Sequence, residues 1–202
     1  WQQCYGSSAH ENIWDILETG DGYICCANTT GNDGDLEGCG CHGNSDIWVF
    51  AINLSGEIIW QKCYGGSNWE SASRILPTSD SNYMVFGHTS SNDGDISFNP
   101  SNGEFKYTIW IFKINNAGEL LWEQCLGGEG DESMEYGVFQ KNESTYIIAG
   151  YMDYSPSFDV DCSIHNNGSD RDYWILEVTD TSFLGLIDNS LTNNGKVIVF
   201  PN

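Results

Sequence analysis

Apolar and polar positions alternate along this chain in short runs, and the runs come in sets of four separated by turn residues. Alternation of period two, rich in β-branched and aromatic side chains, predicts half-buried strands, because successive strand side chains point to opposite faces. In the clearest set the predicted strands are Ser71–Leu76, Tyr83–His88, Thr108–Ile114 and Leu120–Leu126. Turn residues from Pro77 close the first, a long polar loop follows the second, and Asn115–Gly118 and Gly127-Gly128 close the others. The preceding set reads Ile13–Leu17, Tyr23–Ala27, Ile47–Leu54 and Ile58–Tyr64; the following one reads Met134–Gln140, Tyr146–Tyr151 and Tyr173–Val178. No stretch carries the 3.6-residue period of an amphipathic helix. The chain is expected to be all-β.

The sets are copies of one unit. Trp1–Glu11 (W-Q-Q-C-Y-G-S-S-A-H-E), Trp60–Glu70 (W-Q-K-C-Y-G-G-S-N-W-E) and Trp122–Glu132 (W-E-Q-C-L-G-G-E-G-D-E) align without gaps. Their cysteines fall 59 and 62 residues apart, so the unit is about sixty residues long. Four antiparallel strands per unit predict a β-propeller-like array of three repeats over residues 1–180. The third set lacks its fourth strand, and Trp1–Tyr5 is expected to supply it, closing the array and hiding an edge. Three units fall below the usual range of about four to eight blades. The units then close as an unusual three-fold body, share a ring between two chains, or belong to a longer array. Residues 181–193 read as a linker and 194–202 as a separate last strand.

Charge narrows the partners. Seven Lys and Arg against 29 Asp and Glu give a formal net charge of −22, which repels phosphate backbones and anionic lipid. No nucleic acid and no membrane insertion are expected, and no apolar run is long enough to span a bilayer. Eight cysteines in a chain with 23 glycines and eight tryptophans suit an oxidising compartment. Cys4, Cys63 and Cys125 are repeat-equivalent, so each is expected to meet one of Cys25, Cys26, Cys39, Cys41 and Cys162, or to stay buried as a thiol. Cys39-Gly-Cys41-His42 and Cys162-x-x-His165 lack the paired knuckles of a zinc site.

Alternating strands place the loop after the second strand and the turn after the fourth at one end of the molecule. That end collects the long loops and much of the acid, and loops clustered on a rigid scaffold are where binding concentrates. Asn32, Asp33 and Asp35, and again Asn92, Asp93 and Asp95, form an Asn-Asp-Gly-Asp motif whose oxygens suit Ca²⁺. The competing reading is an Asp-Gly turn capping its own backbone. In the third unit Asp153, Asp159 and Asp161 are scattered instead. Glu11, Glu70 and Glu132 recur at the Gly-Gly turns, where accepting backbone N–H groups is the expected job. Trp69 stands where the other units have His10 and Asp131, so packing symmetry does not require it. These six turn positions are the candidate ligand contacts, with Trp69 suited to stacking on a sugar ring. No nucleophile motif and no phosphate-binding glycine loop is present, so no catalytic residue is assigned.

The combination W-x-x-C-[YL]-G-G, N-D-G-D, W-[IV]-[FL] and N-x-x-G-E-[IL]-[IL]-W resembles a repeat of large secreted surface proteins of Bacteroidota. Asn194–Asn202 (N-G-K-V-I-V-F-P-N) resembles the first strand of a type A sorting domain of the type IX secretion system, with Phe200 where Tyr is usual. The resemblance implies export and display at, or release from, the cell surface. The expected function is binding, by adhesion or carbohydrate recognition through the long-loop face, with calcium assistance. The alternatives are a structural subunit joined through blade edges and, further off, a polysaccharide-degrading enzyme.

Overall fold

The structure is a computed structural model that describes residues 1–101, 106–153, 158–160, 171–181 and 197–199. Cys162, His165, Asp161, the linker from 182 on, and the tail at 194–196 and 200–202 lie outside the described residues.

Among the described residues, twelve strands form three four-stranded antiparallel sheets. The first sheet is β1 (Glu11–Thr19), β2 (Gly22–Thr29), β3 (Asp46–Asn53) and β4 (Ile58–Tyr64), each paired with the next in sequence. The second repeats that order with β5 (Glu70–Pro77), β6 (Tyr83–Thr89), β7 (Thr108–Ile114) and β8 (Leu120–Leu126). The third contains β9 (Glu132–Gln140), β10 (Thr145–Met152), β11 (Asp172–Asp180) and the short β12 (Val197–Val199).

The turn between the third and fourth strands is built the same way twice. Asn53 Oδ1 accepts the Ser55 and Glu57 N–H groups, each at 2.9 Å, and Asn115 Oδ1 accepts those of Ala117 and Glu119, each at 2.9 Å. Gly118 has φ +75°, and a Cβ there would lie 2.6 Å from the Trp60 ring, so both backbone and contact require glycine.

Alternation decides what each sheet face touches. Ile24, Cys26, Ile47 and Val49 of the first sheet pack against Ile75, Val85, Trp110 and Phe112 of the second. The opposite face of the second sheet (Met84, Phe86, Ile109, Ile111) packs against Tyr146, Ile148, Trp174 and Leu176 of the third. Trp48, Trp110, Trp122 and Trp174 are buried, as inter-sheet packing predicts.

The N-terminal segment corrects one expectation. Trp1–Tyr5 does not complete the third sheet, whose fourth place is held by β12 opposite Val178–Asp180. It lies on the first sheet instead. The Tyr5 hydroxyl donates to Gly56 O at 2.6 Å, and its ring meets Phe50 at a centroid distance of 5.4 Å. This is the contact that Tyr64 makes with the following sheet, donating to Gly118 O. A segment of this sequence carries its own docking chemistry for the sheet that follows it.

One cysteine expectation resolves. Cys63 pairs with Cys41 at a Cα–Cα distance of 4.9 Å, tying the loop after β2 to β4. Cys25, Cys26, Cys39 and Cys125 are buried thiols, and Cys4 is an exposed one.

Candidate functional site

The acidic loops and the Gly-Gly turns meet at one end, as strand direction predicts, but they meet each other. Asp95 Oδ2 accepts Gly65 N–H at 3.0 Å, and Asp93 Oδ1 accepts Ser67 N–H at 2.8 Å. In the unit before, Asp35 accepts Gly6 N–H at 2.9 Å and Asp33 accepts Ser8 N–H at 2.7 Å. The Asp95 N–H returns a bond to Gly65 O at 2.9 Å, and that of Asp35 to Gly6 O at 3.0 Å. In the third unit Asp159 takes the same place, its N–H donating to Gly127 O at 3.3 Å. The Asn-Asp-Gly-Asp motif is thus a receptor for the turn that ends the preceding unit. Bonding to Ser8 N–H holds Asp33 below the usual carboxylate range. Asn92 Oδ1 accepts Asn99 N–H at 3.1 Å, and Asn32 is exposed. Among the described residues, no three His, Cys, Asp or Glu side chains converge to hold a metal ion.

The recurrent glutamates bond to the turns beside them, Glu70 and Glu132 through backbone N–H groups and Glu11 through hydroxyls. Glu70 accepts Gly66 N–H at 2.9 Å and the Thr89 hydroxyl at 2.6 Å. Glu11 accepts the hydroxyls of Ser7 and Thr29. Glu132 accepts backbone N–H groups of Gly128 and Gly130, but burial, with Asp153 and Asp131 nearby, still lifts its carboxyl to about 7. Glu70 and Glu132 are buried, so their carboxylates serve the turns. Asp131 is likewise engaged: it accepts Tyr107 N–H at 2.9 Å and pairs with Arg171 at 3.2 Å.

Three of the predicted ligand contacts do share a cavity. His10, Trp69 and Glu70 line a cleft of about 260 Å³ together with Asn12, Asn28, Thr30, Ser71, His88 and Tyr107. A second cleft of about 290 Å³ adjoins it, sharing Ser71, His88 and Tyr107 and adding Trp14, Ser73, Ser133 and Tyr151. The first lies between the first and second sheets, and the second reaches from β1 and β5 to β9, the first strand of the third sheet. Bulges between Ile13 and Asp15 and between Ala72 and Arg74 free Trp14 and Ser73 from strict alternation and turn them into the cleft.

The walls are held by polar contacts between sheets. Asn28 donates to Ser71 Oγ at 2.7 Å and accepts Ala72 N–H at 2.8 Å. Ser73 donates to Met134 O at 3.1 Å, and Arg74 pairs with Asp15 at 3.3 Å. Trp69 is fixed through its backbone. Its N–H donates to Ser90 Oγ at 3.1 Å, its carbonyl accepts Ser90 N–H at 2.9 Å, and the side chain stays 38% exposed.

No family model matches the chain, and neither does any curated protein. The cleft therefore has to be read from its own chemistry. His88 Nδ1 lies 3.2 Å from Ser133 Oγ and the ring stands edge-on to Tyr107, with centroids 4.7 Å apart. Burial lowers the imidazole to about 4, so it is neutral near pH 7 and a weak base. Sequence reasoning missed Asn12, Asn28, His88 and Tyr107. They come from four separated segments, and only the long-range packing of the first sheet against the second brings them together.

Proposed function

We propose that this chain is a carbohydrate-binding module whose ligand lies in the cleft between the first strands, stacked on Trp69. The observation that carries this reading is a part-exposed aromatic ring, anchored through its backbone, that lines a cleft together with polar side chains. Sugar rings combine an apolar face with a rim of hydroxyls, and Trp69 with Tyr107 offers the face while His10, Asn12 and Thr30 offer the rim. The clefts are shallow for a fully enclosed ligand but adjoin end to end, which suits a linear chain of sugar units.

Binding is favoured over turnover because the one hydroxyl–imidazole pair in the cleft has a depressed pKa and so a weak base. We read the three sheets as propeller-like, with first strands innermost; support comes from the cleft they share and from face-to-face packing between successive sheets. An extracellular or cell-surface setting is part of the proposal. The Cys41–Cys63 disulfide and the acidic composition support it, and the sorting-domain resemblance would supply the export route. No helix among the described residues is long and apolar enough to cross a membrane.

The test is a glycan array probed with the wild-type chain and with Trp69→Ala, in calcium and again in EDTA. Saturable binding that Trp69→Ala weakens about tenfold or more is expected, since losing a stacked ring removes roughly 1–3 kcal/mol. Equal binding by the two chains, or none by wild type, would sink the assignment to this cleft.

A further inference from the structure

Building on the carbohydrate reading, we propose that the two clefts are tandem subsites for an uncharged, linear polysaccharide, with Trp14 as the stacking platform of the second. The repeat builds both clefts from the same positions. At the start of each sheet, one cross-strand pair stands next to the recurrent glutamate: Asn12 opposite Asn28, Ser71 opposite His88, and Ser133 opposite Tyr151. The first two pairs line the first cleft, and the last two line the second. Ser71 and His88 therefore belong to both. A site that recurs with the fold and shares a wall with its copy suits a ligand that also recurs, and a chain of sugar units is such a ligand.

Two tryptophans depart from the repeat, and each lines one of the clefts. Trp69 stands where the other units have His10 and Asp131. Trp14 is the extra residue of the β1 bulge, and its counterpart at the β5 bulge is Ser73. Ser73 is buried and donates to Met134 O at 3.1 Å, so a small side chain satisfies the fold at this position. Trp14 is 37% exposed in the second cleft, much as Trp69 is 38% exposed in the first. A large ring that the repeat does not require, part-exposed among hydroxyls, presents an aromatic face to the apolar side of a sugar. Tyr151 adds a second ring to the same cleft.

The lining selects against charge on the ligand. Among the described residues, no Lys or Arg lines either cleft; Arg171, 4.0 Å over the Tyr151 ring, pairs with Asp131 at 3.2 Å. The Glu70 carboxylate is buried and accepts the Gly66 N–H and the Thr89 hydroxyl. His88 is neutral near pH 7. A uronate or sulfated chain would enter the field of a molecule carrying −22 and meet no cation in the cleft. An amino-sugar chain would find Glu70 already committed to its turn. Neutral hydroxyls find amides, hydroxyls and an uncharged imidazole.

Titration calorimetry tests both parts. The probes are cello-, xylo- and manno-oligosaccharides of two and six units, with a hexamer of galacturonate as the anionic arm. Wild type is expected to bind at least one neutral hexamer about tenfold or more tightly than its dimer, because the hexamer reaches both subsites. The galacturonate hexamer should bind at least about tenfold more weakly than that neutral one. Trp14→Leu keeps apolar bulk but removes the flat ring, and should cut the gain from dimer to hexamer to about twofold or less, whereas Trp14→Phe keeps most of it. Trp69→Ala should weaken dimer and hexamer together. A gain left intact by Trp14→Leu, or dimer and hexamer binding lost in parallel, would overturn the second subsite while leaving Trp69 as the contact. Galacturonate bound as tightly as the neutral hexamer would overturn the selection against charge. Wild type that binds none of these oligosaccharides would overturn the carbohydrate reading and both subsites with it.

Discussion

Glu70 and Glu132 occupy equivalent positions, but their surroundings differ by one hydroxyl. Glu70 receives the Thr89 hydroxyl, whereas one Glu132 oxygen, Oε2, is buried without a hydrogen-bond partner. Burial first, then the charges of Asp153 and Asp131, lift Glu132 from 4.5 to about 7, and a buried oxygen with no donor does nothing to offset them. The sign follows from linkage. The raised pKa means the folded state holds a proton that the unfolded chain has released, so the contribution to stability is full below about pH 4.5. It is lost as pH rises toward 7, and above that the ionised group is a constant penalty. Asp46, also lifted to about 7 by burial, acts over a similar window. Glu132→Gln mimics the protonated side chain. Urea titrations should find it more stable than wild type by about 3 kcal/mol at pH 8 and equal within about 0.5 kcal/mol at pH 4. A variant destabilised equally at both pH values would show that the carboxyl is held ionised throughout.

At the scale of elements, the organising contact is the acidic loop of one unit closing on the Gly-Gly turn of the unit before. Each Asp93 and Asp95 carboxylate is committed to a backbone N–H, and Gly94 has φ +66°. A Cβ on Gly94 would lie 2.3 Å from Gly65 O, so the motif is shaped for close approach of backbone. Calcium and EDTA should therefore leave the Tm unchanged within about 1 °C, while Gly94→Ala lowers stability by about 2 kcal/mol or more. A calcium-induced rise of several degrees would reassign the loops to a cation. Much of this architecture is legible in the sequence. Each strand is written up to three times, and alternation states which face is buried, so the strands fall close to their predicted bounds and the loops at one end. The role of the aspartates is not legible, because a carboxylate accepting N–H bonds and one binding calcium use the same residue types at the same spacing. Nor is the place of Trp1–Tyr5, whose repeat position predicts a strand in the third sheet while its Tyr5 hydroxyl and ring dock on the first. The Cys63 partner was open for a similar reason, since five cysteines satisfied the spacing and loop closure after β2 chose Cys41.

The whole molecule is a row of three sheets in which the second contacts both neighbours, so stability should divide along the row. The first sheet carries the Cys41–Cys63 bond, which constrains its unfolded chain by about 3 kcal/mol, and its outer face is covered by Tyr5, Leu36 and Cys39. The third has exposed Phe139, Tyr173 and Ile175 on its far face and a fourth strand of three residues. One buried ion pair ties it to the second: Lys113 Nζ lies 2.9 Å from Asp180, at the end of β11, and 2.8 Å from Asp80. Those two partners hold Lys113 charged despite its burial. Asp180→Ala would take one buried carboxylate from that buried ammonium, a loss of about 3 kcal/mol that falls on the joint between the second and third sheets. The third sheet should then melt first and separately. Calorimetry of Asp180→Ala is expected to resolve a low-temperature step that reducing agent does not shift and a higher one that it lowers. A single transition, moved as a whole by both treatments, would instead mean that the inter-sheet packing around Trp110 and Trp174 couples the row into one cooperative unit.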